Sequence, residues 1–180
     1  MSEKDVLTLC YHNHIVTIIA EHEEEDLMNP IHLMESNNRR RFMADLLLAD
    51  ESESIIESYI DDGVFYTIDL DGVHIGVCLF VFPEEYTVEI KNIAIQEAFQ
   101  GKGFGKKVIQ ASCTLFQKQG YKEMRVGTSN SSIENIAFYQ KAGFRFYEIH
   151  HDFFLQYSDP FYENGIRGMD MIYFRKPLTP

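Results

Sequence analysis

The chain has 180 residues with 45% hydrophobic and 13% aromatic content, enough for one sizeable core, so a single domain over residues 1–180 is expected. Its apolar runs fall short of the roughly 18 residues that a membrane helix needs, and Met1-Ser2-Glu3-Lys4-Asp5 has no signal-peptide pattern. Cys10, Cys78 and Cys113 are odd in number and far apart, which points to neither a disulfide framework nor a zinc site. A cytoplasmic location and no metal follow as expectations.

Charge is distributed unevenly within a net of −12. Residues 1–90 carry 4 Lys/Arg against 20 Asp/Glu, a balance of −16, whereas residues 91–180 carry 12 against 8, a balance of +4. A basic C-terminal half suits a polyanionic cofactor. An acidic N-terminal half repels nucleic acid and steers cationic small molecules.

In chain order, His14 to Ala20 is β-branched and apolar enough for a first strand. Pro30 opens a helical stretch through Ala49, with Leu33, Phe42, Leu46 and Leu47 as its core residues and Arg39-Arg40-Arg41 on its solvated face and ends. Residues 51–60 read as a second short helix ending at Asp61-Asp62-Gly63. The segments 64–69 and 73–82 flank Leu70-Asp71-Gly72, a strong hairpin signal. Pro83-Glu84-Glu85 then turns into a strand over residues 86–95, where a period of two puts Glu89, Lys91 and Ile93 on one side.

That strand ends in Ile93-Ala94-Ile95 and is followed by Gln100-Gly101-Lys102-Gly103-Phe104-Gly105-Lys106-Lys107. A helix is expected from Gly103 to Lys118, with Phe104, Val108, Ala111, Ser112 and Leu115 on one face and Gly120 as its stop. Unpaired N–H groups and the positive dipole end of such a helix attract anions. Glycines permit close backbone approach, and Lys102, Lys106 and Lys107 add charge. The phosphate motifs with fixed spacing fail here. A P-loop would need glycine at Gln100 and a hydroxyl at Lys107, and a dinucleotide fingerprint would need glycine at Lys106.

Residues 123–128 form the next expected strand. Ser131 and Glu134, three apart, then read as a capping box for a helix over residues 132–142, with Ile133, Ile136 and Ala137 as its apolar stripe. Gly143 suits the position after the helix end. Residues 144–151 and 170–176 are the last strands, and alternation turns either His150 or His151 inward. The intervening segment 152–168, with Tyr157, Phe161, Tyr162 and Asn164-Gly165, could be a substrate-side loop, a dimer contact or surface packing.

Two of these motifs carry a family resemblance. Gln100-x-x-Gly103-x-Gly105 after Ile93-Ala94-Ile95 resembles the acetyl-CoA pyrophosphate loop of the GNAT acyltransferases. Asn135-Ile-Ala137-Phe138-Tyr139-Gln-Lys141-Ala-Gly143-Phe144 resembles the family's helix ending in Phe/Leu-Tyr-x-Lys-x-Gly-Phe. The element order β-αα-βββ-α-β-α-ββ agrees, most strongly from Tyr86 to Phe146 and weakly before Val64. The implied fold class is α/β (α+β), the GNAT acyl-CoA N-acyltransferase fold with a mixed central sheet flanked by helices.

The resemblance implies an N-acetyltransferase that moves an acetyl group from acetyl-CoA to a primary amine by direct attack in a ternary complex. The charge pattern suggests a small cationic metabolite as acceptor. In the implied site, N–H groups near Ile93 and Ile95 meet the thioester or pantetheine, and Gln100, Gly101, Lys102, Gly103, Phe104, Gly105 and Lys106 hold the pyrophosphate. Tyr139 is the implied general acid. Glu89 is a candidate base, with His150 and His151 as alternatives. An Asn that the family places seven residues before this Tyr is Ser132 here, so Asn130, Ser132 or Asn135 inherits the pantetheine arm. Expected partners are acetyl-CoA and a small-molecule amine, with a homodimer left open and neither nucleic acid nor membrane. A protein N-terminal or lysine acetyltransferase remains an alternative, as does a non-catalytic acyl-CoA-binding sensor or interaction module.

Overall fold

The first three strands are β1 (Leu9–His12), β2 (Ile15–Ile18) and β3 (Ile31–Glu35), each antiparallel to the next. The computed structural model describes residues 9–12, 15–18, 31–50, 52–157 and 159–178, with only the backbone described for 9–12 and 15–18. Of the expected first strand, His14, Ile19 and Ala20 lie outside the described residues, as does Pro30.

β3 corrects the helix expected from Pro30. Ile31 and Leu33 are buried while His32 and Met34 are half-buried, which is the period of a strand, and β3 pairs antiparallel with β4 (Val64–Leu70). Helical backbone begins only after Asn38, as a 3₁₀ turn over Arg39–Phe42 and one α-turn, α1 (Met43–Leu46). Leu47 is therefore beyond the helix and 37% exposed rather than in the core. The second helix, α2 (Glu53–Tyr59), lies where the sequence places it.

Arg39 also departs from its expected solvated role. Its guanidinium donates to the carbonyls of Ile60, Asp62 and Gly63, each at 2.7 Å, and so answers carbonyls that the end of α2 leaves unpaired. Its neighbour Arg40 bridges Glu57 and Asp61, and that hydrogen bond holds the Asp61 carboxyl below its ordinary range.

β4 and β5 (Val73–Glu84) form the expected hairpin, with Leu70 opposite Val73. Asp71 at φ 51° and Gly72 at φ 79° supply the two left-handed residues that such a two-residue turn requires. β6 (Thr87–Ile95) follows, then a 3₁₀ turn over Glu97–Phe99 and the long α3 (Phe104–Lys118). β7 (Glu123–Ser129), α4 (Ile133–Lys141) and β8 (Arg145–His150) come next. A short hairpin of β9 (Tyr162–Glu163) and β10 (Ile166–Arg167) precedes the final β11 (Met171–Pro177).

The chain clusters into two units, Met1–Val81 with Lys91–Leu115, and Phe82–Ile90 with Phe116–Pro180. In the first, hydrogen-bonded strands follow the order β1-β2-β3-β4-β5-β6, and Leu46, Ile56, Tyr59, Ile60, Phe65, Val77, Leu79 and Ala94 pack into its core. In the second, the order is β6-β7-β11-β8. There β6 and β7 are parallel from Thr87 opposite Glu123 to Ile90 opposite Val126, while β11 is antiparallel to both β7 and β8. The core of this second unit includes Val88, Ile90, Met124, Val126, Tyr139, Phe144 and Phe174. The architecture is thus the expected mixed sheet flanked by helices. Among the described residues, no helix is long and apolar enough to cross a membrane.

Candidate active site

β6 sorts its residues by face. Val88, Ile90, Asn92 and Ala94 are buried, whereas Glu89, Ile93 and Ile95 are half-buried and Lys91 is exposed. The buried Asn92 donates from Nδ2 to the Leu46 carbonyl at 3.1 Å and the Tyr59 hydroxyl at 3.0 Å. Its Oδ1 has no partner among the described residues.

The end of β6 is pinned before the loop begins. Gln96 N donates to the Ile75 carbonyl at 2.9 Å, and its side chain donates to Asp45 Oδ1 at 3.0 Å. His74 holds the other oxygen of Asp45 at 2.9 Å, its ring 5.2 Å from that of Phe42. Gln100 folds back so that Nε2 donates to the Ile95 carbonyl at 2.7 Å, and Lys102 Nζ donates to the Ala98 carbonyl at 2.8 Å. Phe104 faces Phe99, with ring centroids 6.3 Å apart.

These contacts leave the backbone of the loop open. None of the N–H groups from Gly101 to Lys106 finds a backbone acceptor among the described residues, and the first turn of α3 holds no acidic side chain. Gly101 at φ 72° and Gly103 at φ 85° take conformations that disfavour side chains, and a Cβ at either would meet nothing within 4 Å. Such N–H donors at the positive end of a 15-residue helix carry the partial charge that favours anions. The first unit therefore brings Ile93, Ile95, Gln100, Gly101, Lys102, Gly103, Phe104, Gly105 and Lys106 together along one strand–loop–helix path.

In the second unit, Glu89 stands opposite Arg125 on β7, with Gly127 two residues further along the same face. Gly127 is opposite Tyr173, and a Cβ there would lie 2.7 Å from the Met171 sulfur and 3.1 Å from the Tyr173 ring. The glycine thus allows Tyr173 to lie against β7. Burial pushes the Tyr173 phenol up to about 12, and the charges of Glu89 and Glu148 add to the shift. The His150 ring is 4.9 Å from Tyr173 and lies 3.2 Å from the Glu148 carboxylate. Sequence reading passed over Gly127 and Tyr173, although a glycine inside a strand is a signal of close approach.

Tyr139 lies within α4, its ring packed against Phe138, Phe144 and Phe174. Its hydroxyl makes no hydrogen bond to the described residues, and burial raises its pKa well above the ordinary phenol value. The group is a fully protonated donor at neutral pH.

Two expectations in this unit need correction, the capping box and the inward histidine. Ser131 and Glu134 form no capping box. The residue before α4 is Ser132, without a side-chain cap, and the Ser131 hydroxyl turns instead to Ser129 at 2.8 Å and Glu163 at 2.8 Å. Glu134 is held low first by its own backbone N–H and then by Asn164. Neither His150 nor His151 turns inward, because all of β8 and the residue after it are exposed. The candidate Asn130 is engaged on both sides of its amide, donating to the Arg167 carbonyl at 3.0 Å and accepting from Met169 N at 2.8 Å and Asp170 N at 2.9 Å. Asn135 reaches Thr128 Oγ1 at 3.4 Å.

A mixed sheet of this strand order flanked by helices is the architecture of an acyl-CoA-type transferase. The model of the acetyltransferase (GNAT) family matches residues 30–144. An uncharacterized N-acetyltransferase of Bacillus subtilis, YvbK, is 42% identical over 128 residues, spanning 71% of this chain and 83% of that protein. Among solved structures, a Bacillus subtilis acetyltransferase in complex with CoA matches with TM-score 0.75 and 39% identity, covering 83% of this chain and 98% of that one. A GNAT acetyltransferase from Elizabethkingia anophelis with acetyl-CoA bound matches with TM-score 0.75 and 34% identity, covering 83% and 97%. The chain belongs to the GNAT family of acetyltransferases, whose acetyl donor is acetyl-CoA.

Proposed function

We propose that this protein transfers the acetyl group of acetyl-CoA to the primary amine of a small cationic metabolite. The observation that carries the donor half is the row of N–H groups from Gly101 to Lys106, at the start of α3, that find no backbone acceptor among the described residues. In this reading the row holds the pyrophosphate and so positions the thioester, which supplies proximity. Backbone N–H groups near Ile93 and Ile95 face the thioester carbonyl or the pantetheine arm.

The chemistry then needs protons taken from the nitrogen and one given to the sulfur. An alkylamine is protonated at neutral pH, so a base must take a proton before its nitrogen attacks the thioester carbon. Glu89, half-buried on β6, is the proposed base. As the new C–N bond forms and the C–S bond breaks, the Tyr139 hydroxyl gives its proton to the departing sulfur, and the second proton that the nitrogen sheds in becoming an amide passes through solvent to restore the phenol. Because burial keeps that phenol protonated, the donor is loaded at every working pH.

Support for a cationic acceptor comes from the −16 balance of residues 1–90 and from the Glu89 and Glu148 charges felt at Tyr173. Titration calorimetry of the full chain with CoA tests the reading. Saturable binding is expected, and no heat at millimolar CoA would refute it. A neutral or anionic acceptor turned over faster than every primary amine offered would remove the acceptor class alone.

A further inference from the structure

Nothing in the family resemblance gives the segment 152–168 a task, yet its hairpin grips a specific part of the chain. Asn164 at φ 54° and Gly165 at φ 75° make the turn between β9 and β10, which presents Glu163 and Asn164 to residues 131–134. Glu163 Oε2 accepts from Ser131 Oγ at 2.8 Å and from Ser132 Oγ at 2.5 Å. Asn164 Nδ2 donates to the Ser131 carbonyl at 3.4 Å and to Glu134 Oε2 at 3.2 Å. Just beyond the hairpin, Met169 and Asp170 donate to Asn130.

Both serines are buried, Ser131 at 0% and Ser132 at 8% exposure. Hydroxyl bonds to a carboxylate are roughly twice as strong as neutral ones. Meanwhile α4 has no side-chain cap of its own, because the hydroxyl of its N-cap residue, Ser132, is given to Glu163. The start of α4 is therefore oriented from outside the helix. Tyr139 lies seven residues on, about 10 Å along the axis at 1.5 Å per residue. A tilt of about 6° at the start would move its hydroxyl by about 1 Å, and misplacement of that size can cost ~100-fold in rate.

We infer that Glu163 is a positioning residue for acetyl transfer: by accepting from Ser131 and Ser132 it fixes the start of α4, and with it the place of the Tyr139 hydroxyl. This rests on the reading of Tyr139 as the acid. The assay is release of CoA thiol from acetyl-CoA, with the primary amine that the wild-type enzyme turns over fastest. Tyr139→Phe is measured first. Wild-type turnover in that variant overturns the acid reading, and this inference with it.

Glu163→Ala should then lower kcat by ~10-fold with KM for acetyl-CoA within about 2-fold, because the donor loop is untouched. Glu163→Gln keeps a carbonyl oxygen that can accept both hydroxyls, and should recover to within about 3-fold of wild type. On the Tyr139→Phe background Glu163→Ala should cost nothing further, as expected for residues acting in series. Equal fold-losses on the two backgrounds would overturn the inference, as would a Gln variant as slow as Ala or an unchanged kcat in Glu163→Ala. Should Glu163→Ala fail to fold, Ser132→Ala removes one of the two donors and must show the same non-additive loss.

Discussion

The loop over residues 96–106 and the turn over residues 129–134 both lead into helices, and they are built in opposite ways. In the first, side chains brace the flanks through Gln96, Gln100 and Lys102 while the backbone N–H row stays open. In the second, hydroxyls and amides are saturated by one another and by residues 163–170. Open donors are what a ligand fills. Saturated ones are what holds a helix still.

The comparison breaks most sharply at the residue each helix carries or begins with. Tyr139→Phe keeps the ring packing against Phe144 and Phe174 and removes only the hydroxyl. Turnover should fall by 10²–10⁴-fold, the range for a lost acid catalyst, with CoA affinity from calorimetry nearly unchanged. Equal losses in affinity and turnover would make the Tyr139 hydroxyl a CoA-binding group rather than the acid.

At the other helix, the effect should lie in binding. Gly103→Val forces a β-branched residue to φ 85° and fills the space where an anion would approach, so CoA affinity should drop by ~100-fold or more. Gly105 is not among the positive-φ glycines, so Gly105→Ala separates steric approach from backbone strain. A Gly103→Val protein that binds CoA like wild type would show that the loop is not the anion site.

The smallest effect is on stability, and it sharpens the contrast within the second unit. Tyr139 and Tyr173 both have phenols raised by burial, Tyr173 to about 12. The folded protein therefore holds these protons more tightly than the unfolded chain, whose tyrosines titrate near pH 10. Stability is full below about pH 10 and is lost as pH rises toward the folded values. Ultraviolet titration of tyrosinate in the folded protein should show a late-ionising group that includes Tyr139 and Tyr173, and Tyr173→Phe should remove one tyrosine from it. Ionisation of every tyrosine near pH 10 without unfolding would contradict this.

What the sequence made legible was local. The β4–β5 turn follows from Asp71-Gly72, and the loop into α3 follows from the glycine spacing, because in both cases adjacent residues fix the backbone. β3 was misread because five residues, Ile-His-Leu-Met-Glu, are too few to separate period two from a helical stripe, and Leu33 is buried in either reading. The capping box at Ser131 failed for a different reason. Glu163, more than thirty positions away, offers that hydroxyl a charged acceptor that no window around Ser131 contains. Likewise alternation alone suggested an inward histidine at the end of β8, but that strand has no covered face.

One consequence lies in β6. Its buried face is locked not only by Val88, Ile90 and Ala94 but by Asn92, whose amide needs the Leu46 carbonyl and the Tyr59 hydroxyl. A slip of one residue would carry Glu89 and Lys91 inward and strand that amide. The register is thereby written in polar as well as apolar terms, while Glu89, Lys91, Ile93 and Ile95 alternate with that buried face along the strand. Variation at those four positions can retune what meets them while the sheet beneath keeps its place.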